Sequence, residues 1–402
     1  MRPSRFRLLF TALLLCCAAS CARQPPDDPR RPVLDTYADI VLATYEDTLS
    51  TLQALDGAVD RLLAEPGGQA LDAARERWRA ARIVYSYSEA FRFYSGPIDA
   101  EDGPEGRING WPLDENHIDA VQSGYNAAPG LNIVGNAAAF PQITPELVAA
   151  QNEAGGEKNI ASGFHAIEFL LWGQDLNTPP QSAGQRPYTD FVSNGDANSS
   201  NARRGQYLKA TTQLLISDTQ GLILQWRKPA KGEQNYRSAL VNGDVYTGLK
   251  RMFTGIAALA EVEMAGERLN VPLLSGDQEE EQSCFSDTTA GDLRSNSAGI
   301  EHVYFARYER LDGKTVSGPS LAQLVRAADV RIADEMEQRI ARSREALAAI
   351  TDPFDREIQP DNTAGRARVQ AATDALRAEA LAFGNAAKSL EIFLSDLQGL
   401  GD

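Results

Sequence analysis

An all-α fold, arranged as two bundle-like domains of four helices each, is what three features of this chain predict. Apolar residues recur at steps of three and four, the spacing that lines one face of a helix. Eight such stretches can be traced, four on either side of a polar turn between Trp226 and Tyr236. No stretch sustains the two-residue alternation of a half-buried strand, so no sheet is expected.

The first residues stand apart from that pattern. Arg2, Arg5 and Arg7 precede a short apolar run, and small residues follow it, which reads as a secretory signal over 1–20. The run is too short to span a bilayer comfortably. Ala18, Ala19 and Ser20 lead directly into Cys21, which resembles a lipobox, with Ala18 where a leucine is usual. Cys21 is therefore the expected site of lipidation, and several acyl chains make such an anchor stable. Ala22 after the cysteine favours the outer membrane, facing the periplasm. Residues 21–32, rich in proline and charge, read as an extended lipidated tether.

The folded part follows, as an N-terminal bundle over 33–230 and a C-terminal bundle over 231–402. Leu34, Tyr37, Val41, Tyr45, Leu49, Leu52, Val59 and Leu62 share one face of the first helix, which Pro66, Gly67 and Gly68 end. A second helix is expected from about Ala70 to Tyr94, with Trp78, Ala81, Val84 and Tyr85 inward. About forty residues rich in Gly, Pro and Asn come next. A loop of that length inside a compact protein is more often functional than idle. Helices are then expected over 160–173, 202–226, 236–270, 298–310 and two final runs. Leu321, Val325, Ala328, Ile332, Met336 and Ile340 line the first of these, and Val369, Ala372, Leu376, Phe383, Leu390 and Leu394 the second. Echoes between the two halves, such as SGFHAIEFLLWGQDL and SAGIEHVYFARYERL, are what an old internal duplication would leave.

Charge and cysteine content narrow the partners. The chain carries a formal −16, and losing the three leader arginines leaves −19. Nucleic acid is excluded as a partner on this ground, because phosphate backbones need a basic track. Anionic polysaccharide is disfavoured for the same reason. Of four cysteines, Cys16 and Cys17 leave with the leader and Cys21 is acylated, so only Cys284 remains in the folded part.

The segment GFHAIEFLLWGQD holds the sharpest chemistry. His165 and Glu168, three apart, project from one face of a strongly apolar helix. Such groups are costly to bury unless paired with each other, with a metal or with a ligand. A pair satisfied inside the core is the plainer alternative. A zinc peptidase of the H-E-x-x-H type needs a second histidine one turn away, and the chain has three histidines in all, none so placed. A di-iron bundle needs two Glu-x-x-His copies, whereas the order here is reversed and single.

Gly163, His165 and Glu168 resemble the G-x-H-x-x-E signature of the imelysin family, also described as insulin-cleaving or iron-regulated lipoproteins. YSEAFRFYSGPID (86–99), INGWPLDENHID (108–119) and SCFSDTTAGDL (283–293) resemble that family's other motifs, in the same order. The resemblance implies two helical bundles, an exported or lipidated state, a link to bacterial iron uptake and a peptidase label. It departs at Ala290, where the family often has a histidine.

Glu89, Arg92 and Asp99 flank an apolar turn, and as a buried arginine with two carboxylates they could orient His165; an ordinary helix-end ion pair is the alternative. Ser286 and Asp287 are further ligand-binding candidates, or simple caps of the helix that follows. His165 and Glu168 are the candidate metal ligands. The expected function is binding, in the acquisition of iron or another divalent metal, at a site near the domain junction. The expected partners are the membrane, through Cys21, and membrane iron-uptake components. A metallopeptidase using His165 and Glu168 and a polysaccharide-binding lipoprotein are the two alternatives.

Overall fold

The computed structural model describes residues 28–121, 132–177 and 182–394. The expected leader, Cys21 and most of the expected tether lie outside the described residues. Eight long helices form two groups of four. The first group is α1 (Arg31–Ala64), α2 (Gly68–Ser86), α3 (Gly163–Trp172) and α4 (Ser200–Trp226). Helix α1 packs along α2 and α4, and α3 lies against both α2 and α4. The second group is α5 (Val245–Ala258), α6 (Thr289–Phe305), α7 (Val330–Ala349) and α8 (Thr363–Ser389). Here α8 packs along α7 and α5, while α6 faces α7 on one side and α2 on the other. That α2–α6 contact joins the two groups. Among the described residues no helix is long and apolar enough to cross a membrane.

The apolar faces behave as their spacing requires. On α1, Leu34, Tyr37, Val41, Tyr45, Leu52, Val59 and Leu62 are buried, and Leu49 is half-buried. Arg31 and Pro32, expected in the tether, already belong to α1; proline is tolerated in a first helical turn because its missing N–H would be unpaired there anyway. Helix α2 ends at Ser86 rather than near Tyr94, and a tighter turn, Tyr87–Phe91, follows it.

Several elements differ from the sequence expectation, each for a local reason. The run expected over 236–270 breaks at Gly243 and Asp244, whose side chain accepts from Thr247 N–H and starts α5 afresh. Helix α5 widens into a π-helical stretch, Leu259–Asn270, and turns on to Ser275. Asp329 separates a short helix, Leu321–Ala328, from α7, accepting from the backbone N–H of Arg331. Leu390 and Leu394 lie beyond α8, which ends at Ser389. Helix α6 begins at Thr289 instead of Ala298: its first turns, TAGDLRSNS, are small and polar, so they show no apolar period although most are buried. The expectation of no sheet is corrected by a small antiparallel hairpin, Arg307–Glu309 paired with Thr315–Ser317, with Tyr308 opposite Val316. Strands of three residues are too short to show alternation, and Gly313 (φ +79°) supplies their turn.

Candidate functional site

Helix α3 is buried along its whole length, so every polar group on it needs a partner from another element. It enters at Gly163 (φ +82°), where a Cβ would stand 2.4 Å from the carbonyl oxygen of Ile108. Only glycine permits that approach, which presses α3 onto the loop carrying the 108–119 motif. One turn on, His165 Nδ1 lies 2.8 Å from Glu168 Oε2. Burial holds the imidazole pKa well below its ordinary value, helped by the nearby Arg82 guanidinium. The ring is therefore neutral, Nδ1–H donates to the carboxylate, and Nε2 carries a lone pair. That Nε2 is buried and, among the described residues, has no hydrogen-bond partner.

The other oxygen of Glu168 is engaged from the second bundle. Oε1 accepts from Ser286 N–H (2.9 Å) and from Ser286 Oγ–H (2.6 Å). Burial raises the Glu168 pKa to about 7, and the two Ser286 bonds oppose that rise. Ser286 is thus a partner of Glu168 rather than a cap of α6, which has no side-chain cap.

A second buried network lies at the same contact between α2 and α6. Glu89 Oε2 meets Arg92 at 2.9 Å and Arg268 at 2.5 Å. Although burial opposes ionisation, the two guanidinium groups bring the Glu89 pKa down to about 2. Asn109 donates to Glu89 (3.3 Å) and accepts from Arg82, which also pairs with Asp292 at 3.0 Å. Ser283 Oγ–H donates to the same Asp292 oxygen (2.6 Å), and Arg268 reaches Asn296 (2.9 Å). Asp99 takes no part in either network: it accepts from Tyr94 N–H (3.1 Å) and Gly96 N–H (2.7 Å), tying its own turn. It does line, with Arg92, Glu105, Asn109, Glu263 and Glu267, a cleft of about 640 Å³ with a largely acidic wall.

The structure therefore brings His165, Glu168 and Ser286 together, and Glu89 with Arg92 beside them. Asp287 turns away, at φ +56°, toward Asp175 and Asp355. Arg82, Arg268, Asp292 and Asn109 escaped the sequence reading. Two of these had a signal: Asp292 sits within the 283–293 motif and Asn109 within the 108–119 motif. Arg82 and Arg268 look like ordinary charged positions on amphipathic helices, and only packing reveals that both are buried.

Residues 41–382 match the model of the Imelysin family, which carries a peptidase label. Iron-regulated protein A of Synechococcus elongatus is 28% identical over 325 residues, 79% of this chain and 74% of that protein. A solved structure from Parabacteroides distasonis, provisionally described as an iron-regulated protein A precursor, superposes with a TM-score of 0.68 at 21% identity, covering 92% of this chain and 97% of that one. An imelysin-like protein from Psychrobacter arcticum gives a TM-score of 0.63 at 16% identity, covering 91% and 96%. Two helical bundles, the G-x-H-x-x-E helix at their contact and a family match over most of the chain agree, and the chain belongs to the Imelysin family.

Proposed function

We propose that this chain is an exported, lipid-anchored binding protein that takes its ligand at the contact of the two bundles, in the acquisition of iron or another metal. One observation carries the reading: the imidazole of His165 is fixed by Glu168 at Nδ1 and presents an unpartnered, buried lone pair at Nε2. A buried acceptor left unpaired costs about 1–3 kcal/mol, a cost that a ligand recovers on binding. A carboxylate behind one imidazole nitrogen also orients the ring and strengthens the other nitrogen as a metal donor.

Glu168 supports His165 in this reading rather than binding metal itself, since both its oxygens are engaged. One nitrogen is too few to hold a bare ion, so the ligand is one that brings most of its own coordination sphere. The acidic cleft bordering the neighbouring Glu89 network, lined by Arg92 and Asn109, suits a cationic ligand. The name of the Synechococcus relative, an iron-regulated protein, supports the link to iron. The leader and Cys21 support a place in the cell envelope, facing the periplasm, with membrane iron-uptake components as partners.

The test compares wild type with His165→Ala under iron limitation, alongside thermal melting of the purified proteins. The expected outcome is impaired growth, with a melting transition that is lowered but still cooperative and above the growth temperature. Normal growth of the variant would remove His165 from the function. A peptidase reading draws on the environment of Glu168, where burial pushes the carboxyl pKa up to about 7, into the range in which general bases work. Zinc hydrolysis needs about three protein ligands and a bound water, which this pair does not supply. Cleavage of casein by pure protein, abolished by chelator and by Glu168→Gln, would replace the binding reading with catalysis.

A further inference from the structure

Next to the His165 pair, but with a separate set of side chains, three aspartates converge from three elements. Asp175 follows α3, Asp287 precedes α6, and Asp355 lies on a short helix, Phe354–Ile358. One carboxylate oxygen from each lies within 4.8 Å of the other two. Three oxygens so placed lie no more than about 2.8 Å from a common point, close to the oxygen distances of about 2.3–2.6 Å that larger divalent cations prefer.

Acidic residues often gather at surfaces without binding anything, but these are not a surface group. Asp175 is 4% and Asp355 1% exposed. Among the described residues, neither carboxylate oxygen of Asp355 has a hydrogen-bond partner. The adjacent Arg356 N–H donates instead to the Pro353 carbonyl, at 3.3 Å. Oδ1 of Asp287 is also buried and without a partner. Among the described residues, the donor bonded to the cluster is Asn177, through its backbone N–H (3.1 Å) and side chain (2.5 Å) on Asp175. No arginine or lysine forms an ion pair with any of the three among the described residues, whereas Glu89 nearby has two guanidinium groups. Three carboxylates side by side repel one another, and burial adds to the cost of each charge. A cation relieves both at once. Asp287, half-buried, also lines a cavity of about 140 Å³ between α2 and α6, shared with Arg79, Arg82 and Arg294.

We propose that Asp175, Asp287 and Asp355 form a binding site for a hard divalent cation such as Mn²⁺ or Ca²⁺, distinct from any ligand at His165. All three donors are oxygens, with no histidine or thiolate, and that donor set favours Mn²⁺, Ca²⁺ and Mg²⁺ over softer metals. An ion here would tie the loop after α3 to the second bundle, one residue from Ser286, which holds Glu168.

The test is a titration of the purified full chain with Mn²⁺, read by the loss of the free aquo-ion's electron paramagnetic resonance signal. Wild type is expected to take up Mn²⁺ saturably. Asp355→Asn, and independently the less buried Asp287→Asn, are expected to weaken binding at least about tenfold. His165→Ala is expected to change it by less than about twofold, because the two sites share no ligand. Absence of saturable uptake by wild type would overturn the cation site while leaving the His165 reading intact. Uptake that His165→Ala abolishes and both aspartate variants leave unchanged would overturn it as well, and would move the metal to His165.

Discussion

Glu89 and Glu168 stand a few side chains apart at the same contact between bundles, and both are fully buried. Their charges are handled in opposite ways. Glu89 lies against two guanidinium groups and its pKa falls to about 2. Glu168 has a neutral imidazole and a serine, both good hydrogen-bond donors but neither charged, and its pKa rises to about 7. Equal burial, then, does not fix ionisation; the charge of the partners does. Glu89 is built as a permanent anion that ties the turn after α2 to the π-helical stretch and, through Arg268 and Asn296, to α6, while Glu168 is poised close to neutral pH beside an imidazole whose Nε2 has no partner among the described residues.

The comparison is broken most directly by Glu89→Gln. It strips two buried arginines of their shared counter-charge, although Arg92 keeps Glu105 (3.2 Å) and Arg268 keeps Glu263 (3.1 Å). Removing one partner of a buried ion pair costs about 3–5 kcal/mol, and urea unfolding should show a loss of that order. A loss below about 1 kcal/mol would mean that the two remaining glutamates suffice and that Glu89 is not the lock.

Acid gives the next largest effect. The folded-state pKa of Glu89 lies below its unfolded value, so its contribution is present above about pH 4.5 and is lost as pH falls toward 2. The shift corresponds to about 3 kcal/mol. Glu168 works the other way: its folded pKa is raised, so its contribution is complete below about pH 4.5 and is lost as pH rises through 7. Unfolding measured against pH should show both limbs in wild type. Glu168→Gln should flatten the upper limb and leave the acid limb in place; an upper limb unchanged by that substitution would refute the assignment.

Ser286→Ala removes one of the two bonds to Glu168 Oε1 and should cost about 1 kcal/mol. It should also raise the Glu168 pKa further, a shift visible by carbon-13 NMR of the carboxyl.

The smallest change in stability is expected for Glu168→Gln itself, under about 1 kcal/mol near pH 7. The amide can accept from Ser286 and donate to Nδ1 if His165 moves its proton to Nε2. Nitrogen-15 shifts of the ring should then report a tautomer opposite to wild type, and ligand binding at Nε2 should fail although the fold persists. A ring that keeps its proton on Nδ1 would show that Glu168 does not set the tautomer.

Much of the architecture was legible without coordinates, because helical periodicity is a local property. The faces of α1 and α8 follow from residues three and four apart. The register of His165 over Glu168 is equally local, and so is their apolar setting. The early turns of α6 were not legible: Asp292, Ser295 and Asn296 look like surface residues until α2 covers them.

The sequence by itself determined the helices, the family motifs and the one pair that shares a helix turn. The tertiary structure alone decided which buried charges have counter-charges. Arg268 reaches Glu89 across 179 residues of chain, and Ser286 reaches Glu168 across 118. Asp175, Asp287 and Asp355 are as widely spread and, among the described residues, form no ion pair with an arginine or lysine. No local spacing distinguishes Glu89 from Glu168, because the ionisation of a buried group depends on charges a few ångströms away in space, and those are supplied by packing between helices.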